Sequence, residues 1–159
     1  MKYKLTLLSA LLVLSACKSV PPSSQYSNVP LTDGVLATAQ WQQLTRIEPL
    51  YPVEEARSGK EGCATIEFII TPDYQITDVQ AVSFSSRFFA REAQKALLKW
   101  NWQDLPAGLL TEPVKTQTRF EFCLESDEGR CTPEKLAQRD ICSGTDVLPV
   151  VGYRVMVRN

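Results

Sequence analysis

From Cys63 to Ile70 the chain alternates so regularly that every side chain is assigned a face. Ala64, Ile66, Phe68 and Ile70 fall on one side, and Cys63, Thr65, Glu67 and Ile69 on the other. A period of two is that of a strand with one face buried against a core. Thr71-Pro72-Asp73-Tyr74 follows, with proline at the second position of a turn, where its ring presets the backbone. A second strand from Gln75 to about Ser83 then completes a predicted hairpin.

The period changes after Ser85-Ser86, either of which can cap a helix. Phe89, Ala93, Ala96, Leu97 and Trp100 recur at helical spacing, while Arg91, Glu92, Lys95 and Lys99 fall on the opposite face. The helix is predicted to reach Lys99 or Trp100, before Pro106-Ala107-Gly108 breaks the chain. A third strand is predicted over Val114 to Leu124, with Phe120, Phe122 and Leu124 on one side. Strand, strand, helix, strand gives an α+β class: a three-stranded antiparallel sheet with a helix on one face. Trp100 and Trp102 are read as packing residues of that core rather than as a ligand platform.

The N-terminus bears on the compartment. Lys2 and Lys4 precede an apolar run, Leu5 to Leu14, that is too short to span a bilayer and suits a signal-peptide core. Leu14-Ser15-Ala16-Cys17 resembles a bacterial lipobox, which implies cleavage before Cys17 and lipidation of that cysteine. In such lipoproteins an aspartate after the cysteine favours the inner membrane. Lys18 stands there instead, so the expected location is the periplasmic face of the outer membrane, reached through a lipid anchor. Residues 1–16 are thus expected to be signal peptide, 17–40 a flexible tether rich in Pro and Ser with a reach of about 25 Å, 41–125 the folded domain and 126–159 a C-terminal extension.

Charge and composition exclude several functions. Without Lys2 and Lys4 the chain keeps 15 basic against 18 acidic residues and has no basic cluster, so nucleic acid is not an expected partner. No histidine is present, which removes the usual general base and the commonest metal ligand. Ser85-Ser86 therefore reads as a cap and not a nucleophile. Asp73, Asp78, Glu121, Glu125, Asp127 and Glu128 read as solvated charge. Cys63, Cys123, Cys131 and Cys142 lack any Cys-x-x-Cys pair, and an even number in an exported chain points to disulfides rather than zinc. No catalytic residue, metal, cofactor or small-molecule substrate is expected.

Several short elements carry a family resemblance: Arg46-Ile47-Glu48-Pro49-Leu50-Tyr51-Pro52, Glu61-Gly62, Thr71-Pro72-Asp73, Asp78-Val79-Gln80, Phe89-Ala90-Arg91-Glu92-Ala93 and Lys99-Trp100-Asn101-Trp102. In this order and spacing the chain resembles the TonB C-terminal domain family. The resemblance implies a β-β-α-β fold and a protein-binding function. Domains of this family grip a short extended segment of outer-membrane transporters by adding it to the edge of the last strand. It thereby implies partner-binding roles for Arg46, Glu48 and Tyr51 ahead of the hairpin, and for Val114, Thr116 and Thr118 on the third strand. Family members commonly carry glutamine where this chain has Glu48, an acceptor-only group. They also energise transport through an N-terminal membrane helix with an essential histidine, which this sequence lacks. The expected function is therefore a lipid-anchored adaptor linked to TonB-type transport without energy transduction. The alternative is a structural envelope lipoprotein within a multi-protein complex.

Strand parity predicts the disulfides. If the third strand runs antiparallel beside the first, Cys63 meets Cys123, Glu67 faces Arg119 and Ala64 faces Phe122. Cys131 and Cys142 then pair by elimination. Thr132-Pro133-Glu134 starts a helix between them, which must be short: a continuous helix would hold them about 16 Å apart, and a disulfide needs about 7 Å or less. Val147 to Val157 is expected to add one more strand on a sheet edge. It would either cover an aggregation-prone edge or occupy the edge a partner would use.

Overall fold

The computed structural model describes residues 25–125 and 129–154. The predicted signal peptide, the lipidation site Cys17 and the end of the last predicted strand, Val155 to Val157, lie outside the described residues. The fold is α+β. Four strands, β1 (Gly62–Ile70), β2 (Ile76–Phe84), β3 (Val114–Glu125) and β4 (Val147–Tyr153), form one sheet in the order β2-β1-β3-β4. Among the described residues the α-helices are α1 (Val53–Arg57), α2 (Arg87–Leu97) and α3 (Pro133–Ala137). The first three strands are antiparallel, as expected, but β4 runs parallel to β3, so the sheet is mixed and four-stranded.

The hairpin closes through Thr71. Its carbonyl accepts the Tyr74 N–H at 2.8 Å, and its own N–H donates to Gln75 O at 3.0 Å. Strand β2 is an edge and carries two register irregularities against β1. Asp78 sits at one of them with φ of 51°, a conformation aspartate tolerates better than most residues. Bulges of this kind twist an edge away from unwanted pairing.

Helix α2 starts where Ser86 accepts the Phe88 N–H at 3.2 Å. Its buried face, Phe89, Ala90, Ala93, Ala96 and Leu97, packs on Ala64, Ile66, Phe68, Ile70, Phe120 and Phe122 of the sheet. Phe89 stacks on Phe122 with centroids 4.4 Å apart. Trp100 and Trp102 are both in this core, and each indole N–H finds a carbonyl, Ile47 at 3.0 Å and Leu97 at 3.2 Å. Leu36, Trp41 and Leu44 join the same core. Packed chain therefore begins ahead of residue 41, the boundary drawn from composition.

The opposite face of the sheet is covered by the C-terminal extension. Helix α3 is the short helix expected, with the Thr132 hydroxyl accepting the Lys135 N–H. The disulfides, however, differ from the parity argument. They join Cys63 to Cys142 and Cys123 to Cys131, with Cα separations of 6.0 Å and 5.7 Å. The reason is register. Cys63 lies across from Glu121, Ala64 from Phe120 and Glu67 from Gln117. The shift is two residues from the expected pairing, so every side chain keeps its face but changes its neighbour. Cys123 lies past the end of β1 and pairs locally. The extension then crosses beneath the sheet and delivers Cys142 to Cys63. Arg119 anchors this crossing by donating to the carbonyls of Ala137, Arg139 and Cys142, each at 2.9 Å.

Candidate partner-binding edge

Strand β3 is the edge the sequence reading assigned to a partner, and the chain's own segments cover it. At its start Leu31 makes a parallel bridge to Lys115, and the Thr32 N–H donates to Lys115 O at 2.8 Å. The Arg119 N–H donates to Asp146 O at 2.8 Å, and from there β4 pairs residue by residue, Arg119 with Val147 through Glu125 with Tyr153. The two covering segments are joined where the Asp33 carboxylate accepts the Thr145 N–H at 3.1 Å.

Three of the six expected partner-binding residues, Arg46, Tyr51 and Thr118, are engaged in holding this cover. Arg46 donates from one nitrogen to both oxygens of Asp146, at 2.8 Å and 3.1 Å. Its other nitrogen donates to the Leu36 carbonyl, and its guanidinium lies over the Trp100 ring, 5.4 Å from the centroid. The Thr118 hydroxyl donates to Asp146 at 2.7 Å. Tyr51 closes the far end. Its ring packs edge-on to Phe89 and Phe122, and its hydroxyl donates to Lys60 O at 2.7 Å. A Cβ on Gly152 would come within 2.4 Å of that ring, so only glycine lets β4 lie there. Burial pushes the Tyr51 phenol up to about 12, against the pull of Arg139.

Val114 pairs with Ile70, and Thr116 is fully buried with no hydrogen-bond partner for its hydroxyl. Glu48 alone of the expected set is exposed; it lines a shallow groove with Pro49, Leu50, Lys95 and Lys99. Asp146, Gly152 and Asp33 were not anticipated. Their signal in the sequence is slight: a turn-forming run, Ser143-Gly144-Thr145-Asp146, ahead of an apolar stretch.

Beneath the edge lies a second polar cluster. Glu121 is wholly buried, 3.3 Å from Arg119 and 3.8 Å from Arg139, and its oxygens accept no hydrogen bond. Burial raises its carboxyl above the usual range, against the opposing pull of Arg119 and Arg139. Glu61 accepts from Arg139 at 3.0 Å and from the Leu124 N–H at 2.8 Å, and it also pairs with Arg130. Among the described residues no cluster of His, Cys, Asp or Glu could hold a metal ion, and no helix is long and apolar enough to cross a membrane.

A hairpin, a helix and a returning strand around an aromatic core, with a fourth strand added in parallel at the sheet edge, define a small α+β domain. Residues 47–124 match the family profile of the Gram-negative bacterial TonB protein C-terminal. The chain is 33% identical over 105 residues to Protein TonB of Pseudomonas aeruginosa, spanning 65% of this chain and 31% of that protein. It is 29% identical over 70 residues to Protein TonB of Klebsiella pneumoniae, spanning 43% of this chain and 29% of that one. It thus spans under a third of the length of these relatives. The solution NMR structure of the Pseudomonas aeruginosa TonB C-terminal domain is 26% identical, with a TM-score of 0.41 over 54% of this chain and 90% of that chain. This chain carries a TonB C-terminal-like domain.

Proposed function

We propose that the chain is a lipid-anchored envelope protein in which a TonB C-terminal-like domain serves as a structural protein-binding module of a larger assembly. One observation carries this reading: the chain's own segments pair with the β3 edge at Lys115 and again from Arg119 to Glu125. Strand addition needs a run of unpaired backbone N–H and C=O groups, and from Arg119 to Glu125 that run is taken by β4. An open adaptor for transporter segments is thereby disfavoured in the resting state. The sequence holds no histidine, and the proposed role includes no force transduction. Expressed alone in a strain lacking its own TonB, it should leave transporter uptake unrestored.

Crosslinking in living cells tests the reading, with a photoreactive residue at Val151 on β4 or at the exposed Leu50. The expected result is a link from Val151 within the chain itself, and a link from Leu50 to an envelope protein that is not a transporter. A transporter captured from Val151 would establish the second reading, a strand-adding adaptor. That reading has one observation in its favour: no disulfide holds β4, because both close at or before Cys142.

A further inference from the structure

Among the described residues, most cations away from α2 are matched by a carboxylate of the chain itself. Arg46 pairs with Asp146, Arg119 with Glu121 and Lys115 with Glu67, while Arg130 and Arg139 share Glu61. Helix α2 differs. Arg87, Arg91 and Lys95 recur every four residues, Lys99 continues the series past the helix end, and all four are exposed. A spacing of four puts them along one side of the helix. Only Glu92 on the helix opposes them, accepting from Arg91 and Lys95, each at 3.0 Å. Glu48 lines the groove beside Lys95 and Lys99. Arg87 and Lys99 form no ion pair among the described residues, so the stripe keeps a surplus of positive charge.

Apolar groups are set into the stripe. The Phe88 ring carries two guanidinium groups, Arg87 at 5.1 Å and Arg91 at 5.3 Å from its centroid. Leu98, three residues after Lys95 and seven after Arg91, is 58% exposed. Cations with apolar groups between them match anionic headgroups above hydrocarbon.

The leading chain reaches the sheet near this stripe. Leu31 bridges Lys115 at the start of β3, where Val114 lies across from Ile70 and Ile70 across from Ile76. Ile76 and Leu98 line one hollow, so the end of α2 and the entry of the leading chain share an end of the domain. Gln25, the first described residue, follows Cys17 by eight positions, a separation of at most about 28 Å.

We propose that the outward stripe of α2 docks on the anionic phospholipid surface in which Cys17 is anchored. This deepens the lipid-anchor reading and rests on it. The domain then lies on its membrane by one face, and the disulfide-held cover on the other face of the sheet is turned outward, toward the rest of the envelope.

The test uses residues 17–159 with Cys17→Ser, so that binding reports the folded domain and not an acyl chain. Vesicles of phosphatidylcholine with phosphatidylglycerol should bind it at least about tenfold more tightly than phosphatidylcholine alone, and high salt should release it. Arg87→Gln and Lys99→Gln should each weaken binding by about fivefold, and together by about twentyfold. Lys135→Gln, on α3 across the sheet, should leave it unchanged. Spin-labelled lipid should broaden the amide signals of residues 87–99 and spare α3 and β4. Equal binding to both vesicles would overturn the proposal, as would undiminished binding by the folded double variant or strongest broadening in α3 or β4. Polyglutamate bound through α2 without any vesicle binding would overturn it too, assigning the stripe to an acidic protein. Acylation of Cys17 is read separately, by palmitate incorporation in cells. Failed vesicle binding leaves the anchor standing, and an unlabelled Cys17 removes the anchor without touching the vesicle result.

Discussion

The two faces of the sheet are closed in different ways. On one side α2 and the aromatic residues make an apolar core with Phe68, Phe89, Phe120, Phe122, Trp100 and Trp102 all buried. On the other side the cover is a poorly patterned stretch of chain over Thr65, Arg119 and Glu121, held by two disulfides, by Arg119 on three carbonyls and by ion pairs. Apolar burial dominates the closing of the first face. The second buries charge, which costs stability unless partners are supplied, and there the covalent bridges replace the missing apolar area.

Removing bridges should therefore do most harm on the second face. In the chain-entropy account Cys63–Cys142, with a separation of 79 residues, contributes about 4.5 kcal/mol. Replacing both cysteines by serine should lower the urea midpoint accordingly. A loss below about 2 kcal/mol would show that the Arg119 carbonyl contacts carry the extension by themselves. The corresponding break in the apolar face is Phe122→Ala, expected to cost about 4 kcal/mol in the same titration. A much smaller loss would mean that Tyr51 and Phe89 collapse into the space. Removing Cys123–Cys131, whose separation is 8 residues, should cost about 2.5 kcal/mol, so the two bridges are separable by their midpoints.

The smallest effect concerns Glu121. Its folded pKa lies above the ordinary 4.5, so folding favours the protonated form. The resulting stabilisation is complete below the unfolded value and is lost as pH rises through the folded one. Between pH 7 and pH 4.5 the unaltered chain should gain stability relative to Glu121→Gln as acid is added. The opposite slope would show that attraction by Arg119 and Arg139 outweighs burial.

The same contrast explains what the sequence revealed. Strands β1 to β3 and helix α2 are legible because each sets an apolar stripe at its own period, and Phe89, Ala93 and Leu97 or Ala64, Ile66 and Phe68 announce their shared core. The second face sends no such signal. Its cover is tied down through backbone carbonyls of Ala137, Arg139 and Cys142, which leave no mark on side-chain pattern. Parity placed Cys63 and Cys123 on the correct face, but a slip of two residues preserves parity, so it could not choose the partner. For the edge, the family resemblance pointed to the third strand. Arg46, Tyr51 and Thr118 do hold an extended segment, but that segment is the chain's own, because one aspartate at position 146 and one glycine at 152 cannot be told from ordinary turn residues in advance.

The connectivity of the bridges has a consequence for biogenesis. The Cys63–Cys142 bond encloses the Cys123–Cys131 bond within its loop. In a chain that enters an oxidising compartment N-terminus first, Cys63 and Cys123 arrive before either of their partners. An oxidant acting in order of arrival joins those two. Escape then requires attack by a later thiol and release of the wrong partner, an exchange whose rate depends on access and thiolate character. Maturation of such a chain depends on a disulfide isomerase, or on oxidation slow enough for the nearby pair, Cys123 and Cys131, to find each other first.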